Sequence, residues 1–365
     1  MRKILYKILL AVNAVFAFTL LISYLAVIIS PGTFALPAFF GLAYPYLLFI
    51  NIIIAIIWAM LLRLEALISI VVIAIGFAHF SNYIKLSKPS GDKTNTFKVL
   101  SYNIRLFNYF ENNHGITSEK KVIQFLKSQK PDIICLQEFY FVGKPNVEES
   151  ILIGDLGGNY YSHMKVSENG KNRFYGIITL SRFPIVGKGE IVHPHSSSLS
   201  IYTDVLIQND TFRIYNNHLQ SFRLRRMERS FIEEMTTADD NETVSEVKYI
   251  SVSLKKGFEK RALQAKVVKD HVNKSPFPVI VLGDFNDTPV SYAYTKIRKG
   301  LNDSFVNSGY GAGFTYKGNY PPNRIDYILY DNSLLNTYFE IIKVRYSDHY
   351  PIISYFRKKA KKVVS

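Results

Sequence analysis

The most extended pattern along the chain is apolar. Residues 8–62 contain no Asp, Glu, Lys or Arg. A helix rises 1.5 Å per residue and the hydrocarbon core of a bilayer is about 30 Å thick, so one span takes about 20 residues. The stretch therefore predicts two transmembrane helices joined by a turn at residues 30–33. Residues 66–84 predict a third, weaker span that contains His79 and Asn82.

Two alternatives explain the apolar N-terminus. A cleavable signal peptide would also be apolar, but this segment is too long and further apolar segments follow it directly. The other alternative is the buried helical hairpin of a soluble protein. We favour a multi-pass integral membrane protein.

Basic residues near the ends of the predicted spans indicate the orientation. They are, before the third span, Arg2, Lys3, Lys7 and Arg63. This bias favours a cytoplasmic N-terminus, and three spans then place the rest of the chain outside the cytoplasm. Lysines 85, 88 and 93 argue for the opposite orientation.

Beyond residue 84 the pattern changes. Residues 85–96 are polar and predict a linker, and after it short apolar runs alternate with segments of helical period. The predicted strands include residues 97–104, 133–136, 175–180, 212–215, 278–282, 324–329 and 347–353. Helices are predicted after Thr117, as far as Pro131, and over residues 258–272. The predicted domains are a membrane domain (1–84), the linker (85–96), a catalytic domain (97–357) and a basic tail (358–365).

Charge and cysteine content restrict the function classes. The net charge is +15, of which only +3 lies in the first 84 residues, so the remainder carries +12. A basic domain suits anionic partners such as phosphate esters, nucleic acid or anionic lipid head groups. The single cysteine, Cys135, excludes an intramolecular disulfide and a cysteine-based metal cluster.

The candidate chemistry lies where the apolar runs end. Residues 278–282 form an apolar run that ends in Gly-Asp-Phe-Asn at residues 283–286, and open α/β sheets place ligands at the carboxyl edge of their strands. The same pattern recurs along the chain. The polar residues at these ends are Asn103, Glu138, His218, Asp284, Asn286, Asp326, Asp348 and His349. Oxygen ligands without cysteine favour a hard cation, Mg²⁺ or Mn²⁺, and the histidines suit acid–base work at phosphorus.

Six short motifs carry a resemblance to a known family. They read Ser-Tyr-Asn-Ile-Arg, Leu-Gln-Glu, Asn-His-Leu, Gly-Asp-Phe-Asn, Arg-Ile-Asp-Tyr-Ile and Ser-Asp-His-Tyr-Pro. In this order and spacing the chain resembles the endonuclease/exonuclease/phosphatase superfamily from about Phe97 to Phe356. The resemblance implies an α+β fold: a four-layer α/β sandwich with two mixed β-sheets face to face and helices outside, here preceded by three transmembrane helices.

The resemblance also implies a role for each polar strand end. Glu138 would bind the metal, with Asn103 beside it and Asp348 in the metal shell. His218 would hydrogen-bond a phosphate oxygen. The remaining roles fall on four residues: Asp284 would orient or deprotonate the attacking water, Asn286 would hold the phosphate, and His349 would act as the other acid–base group, oriented by Asp326.

Three further residues are candidates for substrate contact. Tyr175 occupies a place where relatives often contact substrate. Arg223 and Arg226 begin a segment over residues 222–257 that has no counterpart in the motifs, and its first half has the spacing of a basic amphipathic helix. This helix would cover the active site, touch the membrane surface or pack on a sheet.

These observations predict a membrane-anchored, Mg²⁺-dependent phosphate-ester hydrolase. Its partners would be the lipid bilayer and a lipid, a sugar or inositol phosphate, or nucleic acid, and no obligate protein partner is inferred. One alternative is a metal-dependent nuclease acting on DNA or RNA, which would use basic and aromatic residues to follow a backbone. An alternative of another class is a catalytically inactive membrane scaffold on the same fold.

Overall fold

The computed structural model describes residues 3–88, 91–109, 115–168, 170–194, 196, 198–222, 240–318 and 322–359. The helices are α1 (Lys3–Leu25), α2 (Leu36–Leu42), α3 (Tyr44–Met60), α4 (Ala66–Ile75), α5 (Phe77–Phe80), α6 (Gly115–Gln129), α7 (Pro145–Asp155), α8 (Asp240–Asn273), α9 (Tyr292–Arg298) and α10 (Ser304–Ser308). The strands are β1 (Ile84–Lys85), β2 (Phe97–Asn103), β3 (Ile133–Val142), β4 (Tyr161–Glu168), β5 (Arg173–Ser181), β6 (Ile185–Glu190), β7 (Leu199–Ile207), β8 (Asp210–His218), β9 (Val279–Asp284), β10 (Asn302–Asp303), β11 (Gly311–Ala312), β12 (Asp326–Tyr330), β13 (Leu334–Ile341) and β14 (Ile352–Lys358).

The chain divides into two compact units. The helical unit comprises Met1–Tyr83, Phe222–Ala265 and Asp287–Lys296. The sheet unit comprises Ile84–Ser221, Lys266–Asn286 and Ile297–Ser365.

Two six-stranded sheets organise the sheet unit. One has the order β10-β12-β9-β8-β7-β6 and the other β13-β14-β2-β3-β5-β4. In each, a single pair runs parallel, β8 with β9 and β2 with β3, while the other neighbours are antiparallel. The predicted α+β fold with two mixed sheets is confirmed.

The cores follow from strands that are apolar on both faces. One core joins the inner faces of the two sheets: Val99 and Cys135 of one sheet pack with Ile214, Leu282 and Ile328 of the other. A second core lies on the opposite face of the β2–β3 sheet, which α6 and α7 cover. Cys135 is buried in the first of these cores.

A polar pair crosses the space between the sheets. Gln137 of β3 donates from Nε2 to Oδ1 of Asn216 of β8 at 2.7 Å, and Asn216 donates from Nδ2 to the carbonyl of Ile178 at 3.0 Å. Both side chains are fully buried. Because buried amides must find partners, this bond fixes the register of one sheet against the other beside the ends of β3 and β8.

The prediction of three transmembrane helices is wrong in its count. Among the described residues only α1 is long and apolar enough to cross a bilayer alone. Helices α2 and α3 are bent by 69° at the break between them, where Pro45 lies in the first turn of α3. Helix α4 ends at Gly76 after ten residues, which reach about 15 Å, half of a hydrocarbon core.

The helix that precedes the Gly-Asp-Phe-Asn strand is also longer than predicted. The helix expected over residues 258–272 begins at Asp240 and runs to Asn273. Residues 240–257 of the 222–257 segment are therefore helical. The predicted basic amphipathic half, with Arg223 and Arg226, lies outside the described residues.

Candidate active site

Strand topology brings most of the polar strand ends to one edge. Strands β8 and β9 are parallel and in register, so His218 pairs with Asp284 at their ends. Strand β12 runs antiparallel to β9 and begins at Asp326, which also pairs with Asp284. In the facing sheet, β2 ends at Asn103 beside Gln137, next to Glu138.

A bulge in β3 directs Glu138. Leu136 pairs with Ile178 and Phe139 pairs with Gly176, so two residues of β3 oppose one residue of β5. Glu138 itself has φ +52°, a left-handed conformation that is uncommon for a residue other than glycine. Such bulges re-aim a side chain beside active sites. Glu138 keeps 28% of its side-chain surface exposed.

One amide joins the two central carboxylates. Asn103 donates from Nδ2 to Glu138 Oε1 at 3.2 Å and to Asp284 Oδ2 at 2.9 Å. Its Oδ1 accepts from the backbone N–H of Arg105 at 3.0 Å. The amide nitrogen of Asn103, not its oxygen, thus faces the carboxylates. Asn103 is placed to hold them together, and its predicted place beside the metal, in contact with metal-bound water or phosphate, stays a prediction.

Asn286 holds Asp284 from the other side. Its backbone N–H donates to Asp284 Oδ1 at 2.8 Å, and its Nδ2 donates to Asp284 Oδ2 at 3.1 Å and to the carbonyl of Leu219 at 3.0 Å. Asn286 has φ +52°. The predicted role of Asn286, holding phosphate, stays a prediction, since the structure places its amide on Asp284.

His218 faces both carboxylates. Its Nε2 lies 3.4 Å from Glu138 Oε1 and 3.9 Å from Asp284 Oδ2. In the described part of the chain this buried nitrogen makes no hydrogen bond. Burial lowers the pKa of His218, but Glu138 and Asp284 outweigh it and raise the pKa above its ordinary value. Nε2 thus faces Glu138 at ion-pair distance and is placed to donate to an anionic ligand in the site.

His349 and Asp326 form a hydrogen-bonded pair. His349 Nδ1 lies 2.9 Å from Asp326 Oδ2 and 3.2 Å from Oδ1, and both side chains are buried. Its Nε2 points toward Asp284 Oδ2 at 3.8 Å. Burial lowers the pKa of His349, yet Asp326 and Asp284 raise it well above its ordinary value. The predicted pairing of these two residues is present, and the role of the pair in catalysis stays a prediction.

Asp348 has a partner that the sequence did not indicate. Its Oδ2 lies 3.2 Å from Nε of Arg105, and its Oδ1 lies 4.0 Å from His349 Nε2. Arg105 begins a turn over Arg105–Asn108 in which all four residues have positive φ. Arg105 stands inside the Ser-Tyr-Asn-Ile-Arg motif, so the motif was the available signal. Its left-handed backbone, which aims the side chain, has no sequence signature.

The two central carboxylates have opposite protonation behaviour. Burial raises the pKa of Glu138, but His218, His349 and the Asn103 amide overcome this effect and lower the pKa to about 2. Burial raises the pKa of Asp284, and despite His349 the pKa lies at about 6. Glu138 is therefore always ionised at neutral pH, while Asp284 exchanges a proton near neutrality. Residues with such separated pKa values suit distinct charge-stabilising and acid–base roles.

The site offers a donor set that fits a hard divalent cation. Oxygens of Asp284 and Asp326 and a ring nitrogen of His349 lie within 4.8 Å of one another. His349 and Asp326 are already hydrogen-bonded to each other, and this bond accounts for the proximity of the three residues without a metal ion. Glu138 suits a cation better, because it is ionised, partly exposed and, in the described part of the chain, hydrogen-bonded through Oε1 alone. Glu138 with neighbouring carboxylate oxygen would hold the ion.

The predicted substrate contacts are less well placed. Tyr175 lies on β5 opposite Tyr140, two residues beyond Glu138, and makes no hydrogen bond to the cluster among the residues that the structure describes. Arg223 and Arg226 lie outside the described residues, so both remain predictions.

Comparisons with known proteins agree with this geometry. The model of the endonuclease/exonuclease/phosphatase family matches residues 100–349, and a model described as a domain of unknown function matches residues 6–83. No curated protein matches the sequence.

Solved structures share the fold at low sequence identity. A family protein from Leptotrichia buccalis is 17% identical over 72% of this chain and all of its own, with a TM-score of 0.51. A family protein from Bacteroides vulgatus is 18% identical over 73% of this chain and all of its own, with a TM-score of 0.53. A humanized D. rerio TDP2 is 16% identical over 72% of this chain and 99% of its own, also with a TM-score of 0.53.

The family match covers more than half of the chain and includes every polar strand end from Asn103 to His349. The chain therefore belongs to the endonuclease/exonuclease/phosphatase family of metal-dependent phosphoric ester hydrolases.

Proposed function

We propose that this protein is a membrane-anchored phosphodiesterase that uses a divalent cation, Mg²⁺ or Mn²⁺, to hydrolyse phosphate esters at or near a bilayer. The observation that carries the hydrolytic part is the convergence of Glu138, Asp284, His218 and His349 at one edge of the sheets. It gives an ionised carboxylate, a carboxylate that titrates near neutrality and two imidazoles of raised pKa. This set suits hydrolysis at phosphorus.

The protonation states favour one assignment of roles. Although burial opposes it, Asp326 and Asp284 raise the pKa of His349 well above its ordinary value and so favour its protonated form. His349 therefore acts as the acid and gives its Nε2 proton to the departing oxygen. Asp284, with a pKa of about 6, is ionised and accepts the proton of the attacking water. The water oxygen bonds to phosphorus as the bond to the leaving oxygen breaks.

The remaining residues prepare the site for this step. His218 Nε2 donates to a non-bridging phosphate oxygen, and Asn286 and Asn103 hold Asp284 in place. A divalent cation, when bound at Glu138, supplies Lewis-acid neutralisation of charge on the phosphate. Arg105 orients Asp348 beside His349.

The composition of the N-terminal helices supports membrane anchoring. Polar side chains lie inside: Asn13, Asn51 and Ser69 are fully buried, and Ser69 Oγ donates to Asn13 Oδ1 at 2.7 Å. Large apolar side chains lie outside, as Phe18 and Phe49 do, each more than 60% exposed. Polar side chains that bond each other among the helices, with large apolar side chains outside, are the arrangement that suits a lipid environment.

Membrane attachment has its own expected result. The full chain should stay in the pellet when cell membranes are washed with alkaline carbonate, and detergent should release it, because exposed apolar helices require lipid or detergent. The side of the membrane follows from a reporter fused after Ser365. With α1 as the single span and the N-terminal basic residues in the cytoplasm, alkaline phosphatase activity is expected there, and a fluorescent cytoplasmic fusion would show the opposite orientation. Recovery of the chain in the carbonate supernatant would contradict anchoring.

A substrate panel tests the catalytic proposal. The detergent-solubilised full chain should hydrolyse bis-p-nitrophenyl phosphate with Mg²⁺ or Mn²⁺ and lose activity in EDTA, because charge on the phosphate is then not neutralised. Sphingomyelin vesicles and supercoiled plasmid, assayed in parallel, distinguish a lipid phosphodiesterase from a nuclease. Turnover of plasmid alone would favour the nuclease. The absence of hydrolysis on all substrates would favour the inactive scaffold.

A further inference from the structure

A buried ion pair outside the catalytic cluster has no role in the chemistry described above. Arg261 of α8 lies with Nε 3.0 Å from Oδ2 of Asp287. The arginine side chain is fully buried and that of Asp287 is 6% exposed. Asp287 also accepts at Oδ1 from the backbone N–H of Thr288 at 3.1 Å.

Aromatic rings enclose the guanidinium. It lies 4.2 Å from the ring centroid of Phe222 and 5.3 Å from that of Phe258, which is on the same helix. Phe258 in turn packs edge-on against Phe39, of α2, with centroids 5.3 Å apart. The ion pair and the two aromatic rings thus hold the guanidinium of Arg261 in one orientation.

Two residues that contact Arg261, Asp287 and Phe222, lie shortly after catalytic motifs in the chain. Asp287 is covalently next to Asn286, the residue whose N–H and side chain hold Asp284. Phe222 lies four residues after His218. Asn286 has φ +52°, a left-handed conformation. A residue other than glycine adopts it only where the surrounding structure enforces it.

Stability alone is a weak explanation for such a pair. A buried ion pair recovers little of the cost of removing both charges from water, and apolar residues of the same volume often serve as well. An arginine fork does offer what apolar residues lack, a fixed direction for the carboxylate that it binds.

We propose that Arg261 is a positioning residue of this enzyme: through Asp287 it fixes the turn that carries Asn286 and Asp284, and through Phe222 it fixes the segment after His218. The inference rests on the proposed function for its kinetic part and on the turn geometry for the rest. Removal of Arg261 should therefore mainly misplace Asp284, the carboxylate that accepts the proton. His218 itself is held in the β8–β9 ladder, so its contact with phosphate should change little.

Two independent readouts test this in the full chain in detergent. The variants are Arg261→Gln, Asp287→Asn, their combination, and Arg261→Lys. We expect kcat on bis-p-nitrophenyl phosphate to fall by about 10- to 100-fold in each single glutamine or asparagine variant, with KM changed by less than about threefold, since small misplacements cost rate. The double variant should equal the worse single, and Arg261→Lys should recover part of kcat.

The matched control is Arg213→Gln. Arg213 also makes an ion pair, with Asp204 at 2.7 Å, and lies within β8, which begins at Asp210 and ends at His218. We expect this variant to lower Tm and to leave kcat within about twofold of the wild type. Equal loss of kcat in Arg213→Gln and Arg261→Gln would overturn the proposal.

Hydrogen exchange separates positioning from activity. Amides in a peptide covering residues 284–290 should exchange at least about tenfold faster in Arg261→Gln and Asp287→Asn, and at the wild-type rate in Arg213→Gln. Wild-type exchange in that peptide would overturn the proposal whether or not the enzyme is active. An inactive wild type with faster exchange in the variants would contradict the proposed function alone. If Arg261→Gln does not fold, Asp287→Asn and Arg261→Lys give the same comparison.

Discussion

Glu138→Gln is expected to lower the rate of phosphodiester hydrolysis by about 10²- to 10⁴-fold, the usual cost of losing a charge-stabilising group. Glu138 is ionised throughout the working pH range because its pKa lies at about 2. Glutamine keeps the size of the side chain and an oxygen that can accept from Asn103, so it removes charge and little else. Steady-state kinetics with saturating Mg²⁺ measures the loss.

The fold should survive this substitution. Glu138 lies at a bulge and is partly exposed, so Tm should not fall by more than a few degrees. Cation binding gives a second readout: Mn²⁺ should raise Tm of the wild type, as any ligand of the folded state does, and should raise it less in Glu138→Gln. Glu190→Gln is the control, since Glu190 is an exposed acid paired with Lys165. Wild-type activity in Glu138→Gln would contradict the assignment.

The second large effect concerns the His349–Asp326 pair. His349→Ala and Asp326→Asn should each lower kcat by about 10²- to 10⁴-fold. The double variant should be little worse than the more damaged single, because groups that act as a unit are not additive. Kinetics of the two singles and the double measure this directly. Simple multiplication of the two losses would show that Asp326 has a separate, structural role.

The pH profile of Asp326→Asn gives the same pair an independent test. Asp326 helps to raise the pKa of His349, so its loss lowers that pKa. If His349 acts in its protonated form, the alkaline limb of kcat should then move to lower pH. The acid limb, which reports ionisation of Asp284 near pH 6, should stay or move slightly lower, because the Asp326 charge also raises the pKa of Asp284. An alkaline limb that does not move would exclude His349 as the acid.

The sequence predicted the strand ends because their chemistry is local. An apolar run that stops at Asp284 or His218 is visible in a few letters, and parallel register then brings the two ends together. Asp326 and His349 are 23 positions apart, and only the resemblance to a known family linked them. Their hydrogen bond confirms that link in geometry.

Backbone conformation was beyond the sequence pattern. Glu138 and Asn286 adopt left-handed conformations that their residue types do not require, and tertiary contacts impose them. Arg105 lies in a left-handed turn for the same reason, so its contact with Asp348 was not predicted. The Arg261–Asp287 pair joins residues 26 positions apart, and neither of them belongs to a motif.

Apolar composition also gave too simple a picture of the N-terminal helices. Hydropathy counts residues, and 55 uncharged residues suffice for two spans. Pro45 at the start of α3 and Gly76 at the end of α4 break the helices, and hydropathy does not register these breaks. Asn13 and Asn51 were visible in the apolar stretch as polar residues that must find partners, and both are buried among the helices.

Isotope transfer from solvent tests the central claim most directly. The full chain should hydrolyse bis-p-nitrophenyl phosphate in H₂¹⁸O with Mg²⁺, and mass spectrometry should find one ¹⁸O in the p-nitrophenyl phosphate product and none in p-nitrophenol. This result is predicted because water activated by Asp284 attacks phosphorus, and Glu138→Gln should form labelled product at least about 10²-fold more slowly. Two results would contradict the account: ¹⁸O in p-nitrophenol, or ¹⁸O-labelled p-nitrophenyl phosphate formed by Glu138→Gln at the wild-type rate.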